Sequence, residues 1–262
     1  MPVTLKVEAE DAAVKNQREI LAQRVISYFG LHLPDSRLLC FLDDEDPSTV
    51  RGDRGPANRG LYGPIHNIAD LDGWPNYVRE CIYPSNRYGN RSRVFDDLVY
   101  LYGSTCVDEV GLTMTLAHEL QHSIQHAKER KLWAANGLVN GLKRETINAL
   151  KLKWADIPTE VETRIISKRV AESLFGEQRI RQYIDRRIVE RTTEADVADW
   201  QFVRTLTPSS SVDLIGGTQL LFERLKDYKS ELEDVLQEKR DNPDFGDIDL
   251  DAFFVLPPRT AT

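Results

Sequence analysis

The chain of 262 residues is poor in the features that mark secreted and membrane proteins. Its three cysteines, Cys40, Cys81 and Cys106, are too few and too far apart for a disulfide framework, and we expect buried small side chains in a reducing compartment. No run of about 20 apolar residues is present, so the sequence predicts no membrane span. Residues 1–8 lack a positively charged segment followed by an apolar block, which predicts a cytoplasmic location and leaves open delivery to another compartment or cell.

An excess of positive charge is also missing. The formal net charge is −8, which argues against binding nucleic acid through bulk electrostatics. Five arginines between 179 and 191 alternate with isoleucine and tyrosine, a pattern typical of the solvated face of an amphipathic helix. The balance of 41% apolar and 29% charged residues is that of a globular protein.

The pattern of apolar residues predicts an α+β fold, with a small mixed sheet and helices in the N-terminal part and a mostly helical C-terminal half. A helix is predicted over 10–29, a loop over 44–60, and strands over 37–43, 62–68, 78–83 and 98–102. Later helices are predicted over 143–154, 158–175, 177–190, 193–206 and 217–240. We therefore divide the chain into an α+β part (1–130), a helical subdomain (131–240) and an acidic tail (241–262) that is either flexible or docked through its aromatic residues.

The stretch His118-Glu119-Leu120-Gln121-His122 carries the one pattern that points to a chemistry. Residues four apart share a helix face, so the two imidazoles could hold one zinc ion with Glu119 beside its open position. Zinc lowers the pKa of a bound water, and an adjacent glutamate can take the proton. An N-cap at Asp108 and apolar residues at helical spacing after it predict the helix that this requires.

A zinc site needs a third protein ligand. His126 lies eight residues from His118, about 12 Å along a helix, and cannot share the ion. The later-histidine pattern H-E-x-x-H-x-x-G-x-x-H is absent as well. A second helix beginning near Pro158 offers Glu160 or Glu162, and we favour Glu160 because its face carries small residues, namely Thr163, Ser167 and Ala171.

The motif has two other interpretations. A di-iron bundle would need a second E-x-x-H on another helix, and neither His32 nor His66 follows a glutamate by three residues, so this class is excluded. A chance match, with the histidines on a solvated helix face, is the competing explanation.

An H-E-x-x-H helix followed by a glutamate-bearing helix resembles the gluzincin type of zinc metallopeptidase, over about residues 108–175. The resemblance implies a zincin-like fold, one Zn²⁺ held by His118, His122 and Glu160 (Glu162 being the alternative), and Glu119 as the general base. It further implies hydrolysis of a peptide bond in a protein or peptide, which could lie along the strand at 62–68 or the one at 98–102. Oxyanion stabilisation is expected from a His, Tyr or Arg, and the candidates are Tyr183, Arg164 and His66. The alternative function is a non-catalytic interaction module in which the motif is structural or inert.

Overall fold

The computed structural model describes residues 3–44, 60–65, 76–84, 93–190 and 193–255. In this part of the chain, helices predominate and four strands form one sheet, which confirms the predicted α+β class. Among the described residues, no helix combines the length and apolar character that crossing a membrane requires.

The sheet is small and mixed, with the strand order β1-β2-β4-β3. Its strands are β1 Val3–Val7, β2 Leu38–Asp43, β3 Gly60–Pro64 and β4 Asp97–Tyr102. β1 and β4 each pair with β2 in parallel, whereas β3 pairs antiparallel with β4. Every residue of β2 and β4 is buried, as expected for inner strands. Of the two strands that the sequence suggests for binding a substrate, β4 is paired on both sides, and β3 is paired on one side only among the strands of the described residues.

Helix α1, Ala12–Phe29, begins at the N-cap Asp11 and fills the connection between the parallel strands β1 and β2. The strand predicted over 78–83 is wrong, because this segment belongs to the helix α2, Asn76–Ile82. Val78 and Ile82, four residues apart, are its buried residues, which is helical rather than alternating spacing. Strand β1 was not anticipated from the sequence.

The motif helix and the helices after it follow the predicted order with some differences. They are α3 Glu109–Lys128, α4 Arg130–Leu138, α5 Arg144–Ala149, α6 Pro158–Phe175, α7 Glu177–Glu190, α8 Glu194–Thr205, α9 Leu214–Arg224, α10 Lys229–Glu238 and α11 Asp251–Phe254. The bounds of α6 and α7 match the prediction. The single helix expected over 217–240 is wrong: α9 begins earlier, capped by Asp213, and a 3₁₀ turn separates it from α10. The helix expected over 143–154 is only the short α5.

The chain divides into two compact units. Unit 1 comprises Met1–Ile124 and Ile166–Tyr183, and unit 2 comprises Gln125–Ile165 and Ile184–Thr262. The boundary falls within α3 and within α6, so each of these helices contributes to both units. The domain boundaries drawn from the sequence at 130 and 240 stay a prediction.

Each unit has its own apolar core. In unit 1 a cluster on the sheet includes Phe41 and Tyr100, both almost fully buried. In unit 2 the cluster is built from helices and includes Phe222, together with Phe245 and Leu250 of the acidic tail. Of the two alternatives for the tail, the structure shows docking, as far as residue 255.

Cys40 and Cys106 are buried in unit 1, as the sequence predicts, whereas Cys81 is only partly buried. Burial raises the pKa of the Cys40 thiol to about 12 and that of the Cys106 thiol to about 11. Both thiols are therefore neutral near neutral pH and pack as small apolar side chains.

Candidate metal centre

Helix α3 presents the H-E-x-x-H motif, and its start is fixed by the predicted cap. The Asp108 carboxylate accepts hydrogen bonds from the backbone N–H groups of Val110 and Gly111, each at 2.9 Å. The apolar stripe expected to face the core is buried, and it consists of Leu112, Leu116, Leu120 and Ile124. The helix is thus held on the side away from the two motif histidines.

The imidazoles of His118 and His122 lie one turn apart, and their Nε2 atoms are 3.1 Å from each other. Two nitrogens that each bind a zinc ion at about 2.1 Å with tetrahedral geometry would be about 3.4 Å apart. The observed separation is close to this value, and both side chains are only partly buried. The pair therefore has the spacing of two ligands to one small cation.

Glu160, in the first turn of α6, brings a carboxylate to the same place. Its oxygen and one nitrogen of each histidine all lie within 4.8 Å of one another. Two neutral nitrogens and one anionic oxygen are a donor set that zinc accepts, and it leaves a fourth position open. The residues present therefore fit a zinc ion. Among the residues that the structure describes, this is the one group of three or more His, Cys, Asp or Glu side chains close enough to hold a metal.

The register between α3 and α6 is set by Gln125, which lies one turn after His122 and is buried. Its side-chain amide donates to the backbone carbonyl of Thr159 at 2.9 Å and to the carboxylate of Glu162 at 2.8 Å. Glu162, the alternative ligand, is therefore engaged by Gln125, and Glu160 is the glutamate near the histidines. The sequence did not lead us to Gln125, although its position one turn after His122 on the same helix is a signal.

The face of α6 that carries Glu160 is lined by small side chains, as the choice of this glutamate assumed. Thr163, Ser167 and Ala171 are all buried. The Thr163 hydroxyl donates to the backbone carbonyl of Glu160 at 2.8 Å, within the same helix. Small residues on this face let another segment of backbone approach closely.

Glu119 is buried and packs against the edge strand of the sheet. A Cβ atom added to Gly60, the first residue of β3, would lie 3.0 Å from the Glu119 Oε1 atom and 2.8 Å from the Thr115 Cγ2 atom. The 2.8 Å contact with Thr115 is shorter than a Cβ atom makes, so glycine allows β3 to pass this close. The Glu119 side chain thereby lies against β3, a contact that the sequence did not reveal.

Arg164, one of the three candidates for oxyanion stabilisation, already has carboxylate partners. Its guanidinium binds Asp199 of α8 through two nitrogens, at 2.8 and 3.1 Å, and Glu160 Oε2 through a third, at 3.0 Å. Burial opposes the charged form, but the carboxylates of Glu160 and Asp199 outweigh it and raise the pKa of Arg164. Asp199 was not singled out from the sequence, because nothing local links it to the motif.

Of the other two candidates, only Tyr183 is among the described residues. The Tyr183 hydroxyl is next to Gly111, where an added Cβ would approach it to 3.0 Å. Gly111 precedes His118 by seven residues, about 10 Å along the helix axis. His66 lies outside the described residues. No finding tests the role of any of the three in stabilising an oxyanion, and that role stays a prediction.

His126 is directed to a different partner, as its spacing on the helix implied. Its Nε2 atom lies 2.9 Å from the Asp244 carboxylate, which also accepts a hydrogen bond from Arg130 at 2.9 Å. Asp244 is almost completely buried. His126 thus helps to dock the acidic tail.

The arginines of α7 form ion pairs, in keeping with a solvated helix face. Arg179 pairs with Glu109 of α3 at 2.7 Å, and Arg181 pairs with Glu177 at 3.0 Å. Arg187 pairs with Glu190 at 3.2 Å. Each of these three arginines therefore has a carboxylate partner within the chain.

The chain matches no known family profile, no characterised protein and no solved structure. Its function is therefore inferred from the residues of the candidate site.

Proposed function

We propose that this protein is a zinc-dependent metallopeptidase. The observation that carries the proposal is the convergence of one nitrogen each from His118 and His122 and an oxygen of Glu160, with Glu119 buried on the same helix. Helix spacing alone accounts for the two histidines, but the glutamate comes from a second helix 38 residues further along the chain from His122. Helix spacing does not account for this third group, and a shared metal ion would account for all three.

In this proposal His118, His122 and Glu160 hold one Zn²⁺. Zinc would supply Lewis acidity, polarising a peptide carbonyl and lowering the pKa of a water. Glu119 accepts a proton from the attacking water and returns it to the nitrogen of the departing amine. Burial of Glu119 excludes bulk water from around its carboxylate, which strengthens its interactions with charged groups.

A peptide substrate would add to the side of β3 on which no strand of the described residues pairs. An extended peptide that pairs with an edge strand gains backbone hydrogen bonds with little demand on its sequence. β3 is suited to this because β4 is already paired on both sides, and because Gly60 places the start of β3 against the Glu119 side chain. We therefore expect unfolded proteins or peptides to be the substrate class.

Metal content is the first test. Protein purified without added zinc should contain about one equivalent by elemental analysis, and His118→Ala should lose it because two remaining ligands bind weakly. His32→Ala is the matched control, since His32 is exposed in a 3₁₀ turn remote in sequence from the motif, and this variant should keep the metal. Wild-type protein that binds no zinc under any loading condition would refute the proposal.

Turnover is the second test. Zinc-loaded protein should cleave members of a peptide library, detected by mass spectrometry. Glu119→Gln should retain zinc and lose about 10²- to 10⁴-fold in rate, because the general base is removed and the ligands are not. A protein that binds zinc without cleaving any peptide would support the alternative, a non-catalytic module.

A further inference from the structure

We infer that Arg164 and Asp199 form a brace that positions Glu160 and leaves it the negative charge needed to bind a cation. This inference rests on the proposed zinc site but concerns metal affinity rather than peptide cleavage. It gives Arg164 a role different from stabilising an oxyanion.

The three side chains form a continuous chain of contacts within unit 2. Asp199, on α8, accepts from Arg164 Nε at 2.8 Å and from Nη2 at 3.1 Å. Arg164 Nη1 then reaches the Glu160 Oε2 atom at 3.0 Å and the Glu160 backbone carbonyl at 3.1 Å. Two parallel bonds to one carboxylate fix the plane of a guanidinium, so the direction of Nη1 toward Glu160 is fixed as well.

The contacts within the brace are strengthened by the burial of their side chains. The side chain of Arg164 is 12% exposed and that of Glu160 is 14% exposed. A charged pair in such surroundings is weakly screened, and a guanidinium there needs compensating anions. The brace therefore differs from an exposed surface ion pair, which contributes little.

The balance of charge explains why two carboxylates are present. Arg164 paired with Glu160 alone would neutralise the glutamate and weaken it as a ligand. Asp199 supplies a second negative charge, so the three groups together carry a net charge of −1. A carboxylate has about four lone-pair sites, so Glu160 can accept from Arg164 and still bind a cation.

Residues that orient metal ligands are known to affect metal affinity strongly, with losses of about 10- to 100-fold when they are changed. We therefore expect Asp199→Asn to weaken zinc binding by about this factor, measured by competition with a chromophoric chelator. Arg164→Lys should have an intermediate effect, because lysine keeps the charge but cannot form the two-pronged bond to Asp199. The visible spectrum of the Co²⁺-substituted protein should change in both variants, since it reports ligand geometry.

The matched control is Asp185→Asn. Asp185 pairs with Arg204 of α8 at 3.1 Å, so this variant also removes an ion pair from α8. Neither residue is in the Glu160–Arg164–Asp199 chain. If α8 acted only as a structural support, Asp185→Asn and Asp199→Asn would change the zinc affinity alike. Positioning of Glu160 predicts a large effect for Asp199→Asn alone, with both variants folded by circular dichroism.

The outcomes separate this inference from the proposed function. An unchanged zinc affinity and Co²⁺ spectrum in folded Asp199→Asn would overturn the brace and leave the peptidase proposal standing. Zinc binding that depends on Asp199 in a protein without peptidase activity would do the reverse. Wild-type protein that binds no zinc would overturn both.

Discussion

At the scale of single residues, a substitution of Gly60 tests the position of Glu119 in the candidate site. Gly60→Ala places a Cβ where it would meet Thr115 and Glu119 at 3.0 Å or less, so β3 or the Glu119 carboxylate must shift. A displacement of about 1 Å at a catalytic group can cost about 10²-fold in rate. We expect a loss of that order in kcat for peptide cleavage, with zinc content unchanged because Gly60 is not a ligand.

Gly137→Ala is the control for this substitution. An added Cβ at Gly137 would make an ordinary contact of 3.7 Å with Phe245, and its helix α4 favours alanine over glycine. This variant should keep wild-type activity and be at least as stable as the wild type. Full activity in a folded Gly60→Ala protein would mean that Glu119 is not the group that the strand positions.

The residues of the candidate site differ in whether a local sequence pattern reveals them. His118, Glu119 and His122 could be found in the sequence because one helical turn brings them together. Glu160 could be anticipated because small residues surround it on its own helix face. The contacts of Asp199 and Gln125 with α6 could not be anticipated, because they arise only from the packing of helices that are distant in sequence.

At the scale of elements, the bounds of α6 and α7 were predictable, whereas the helical nature of α2 and the break between α9 and α10 were not. α6 and α7 were placed correctly because capping and stopping residues mark their ends. α2 was mistaken for a strand because its seven residues contain only two buried positions. A short apolar segment can fit both the helical period of 3.6 residues and the strand period of 2. Packing against neighbouring elements then decides whether it forms a helix or a strand.

The tie between α3 and α6 leads to a prediction at the same scale. Gln125→Met removes the amide that donates to Thr159 and Glu162 and leaves a buried carbonyl without that donor. Such losses cost about 1–3 kcal/mol of unfolding free energy, which urea denaturation would measure. We also expect weaker zinc binding, because the register that brings Glu160 to the histidines is loosened.

Gln219→Met provides the comparison for Gln125→Met. Gln219 makes one long hydrogen bond of 3.5 Å to Val255 in exposed surroundings, so its loss should change stability little. Equal stability and equal zinc affinity in the two variants would show that Gln125 does not set the register of α6.

At the scale of the whole molecule, the pattern of apolar residues predicted the α+β class, whereas the division into compact units within α3 and α6 was not anticipated. A division inside a continuous helix has no sequence signal, because no capping residue and no break in the apolar periodicity marks it. The acidic tail was equally ambiguous, since its charge favours solvation and its phenylalanines favour burial.

The docked tail supplies the last prediction. Phe245 is buried in the core of unit 2, beside Trp133, and the neighbouring Asp244 is held by His126 and Arg130. Removing a buried phenylalanine side chain costs about 3–5 kcal/mol, so Phe245→Ala should lower the unfolding free energy by that amount. Val255→Ala, at a residue that is 67% exposed, should change it by less than about 0.5 kcal/mol. A loss below about 1 kcal/mol for Phe245→Ala in chemical denaturation would show that the tail contributes little to unit 2, and its acidic composition would then be the better guide to its behaviour.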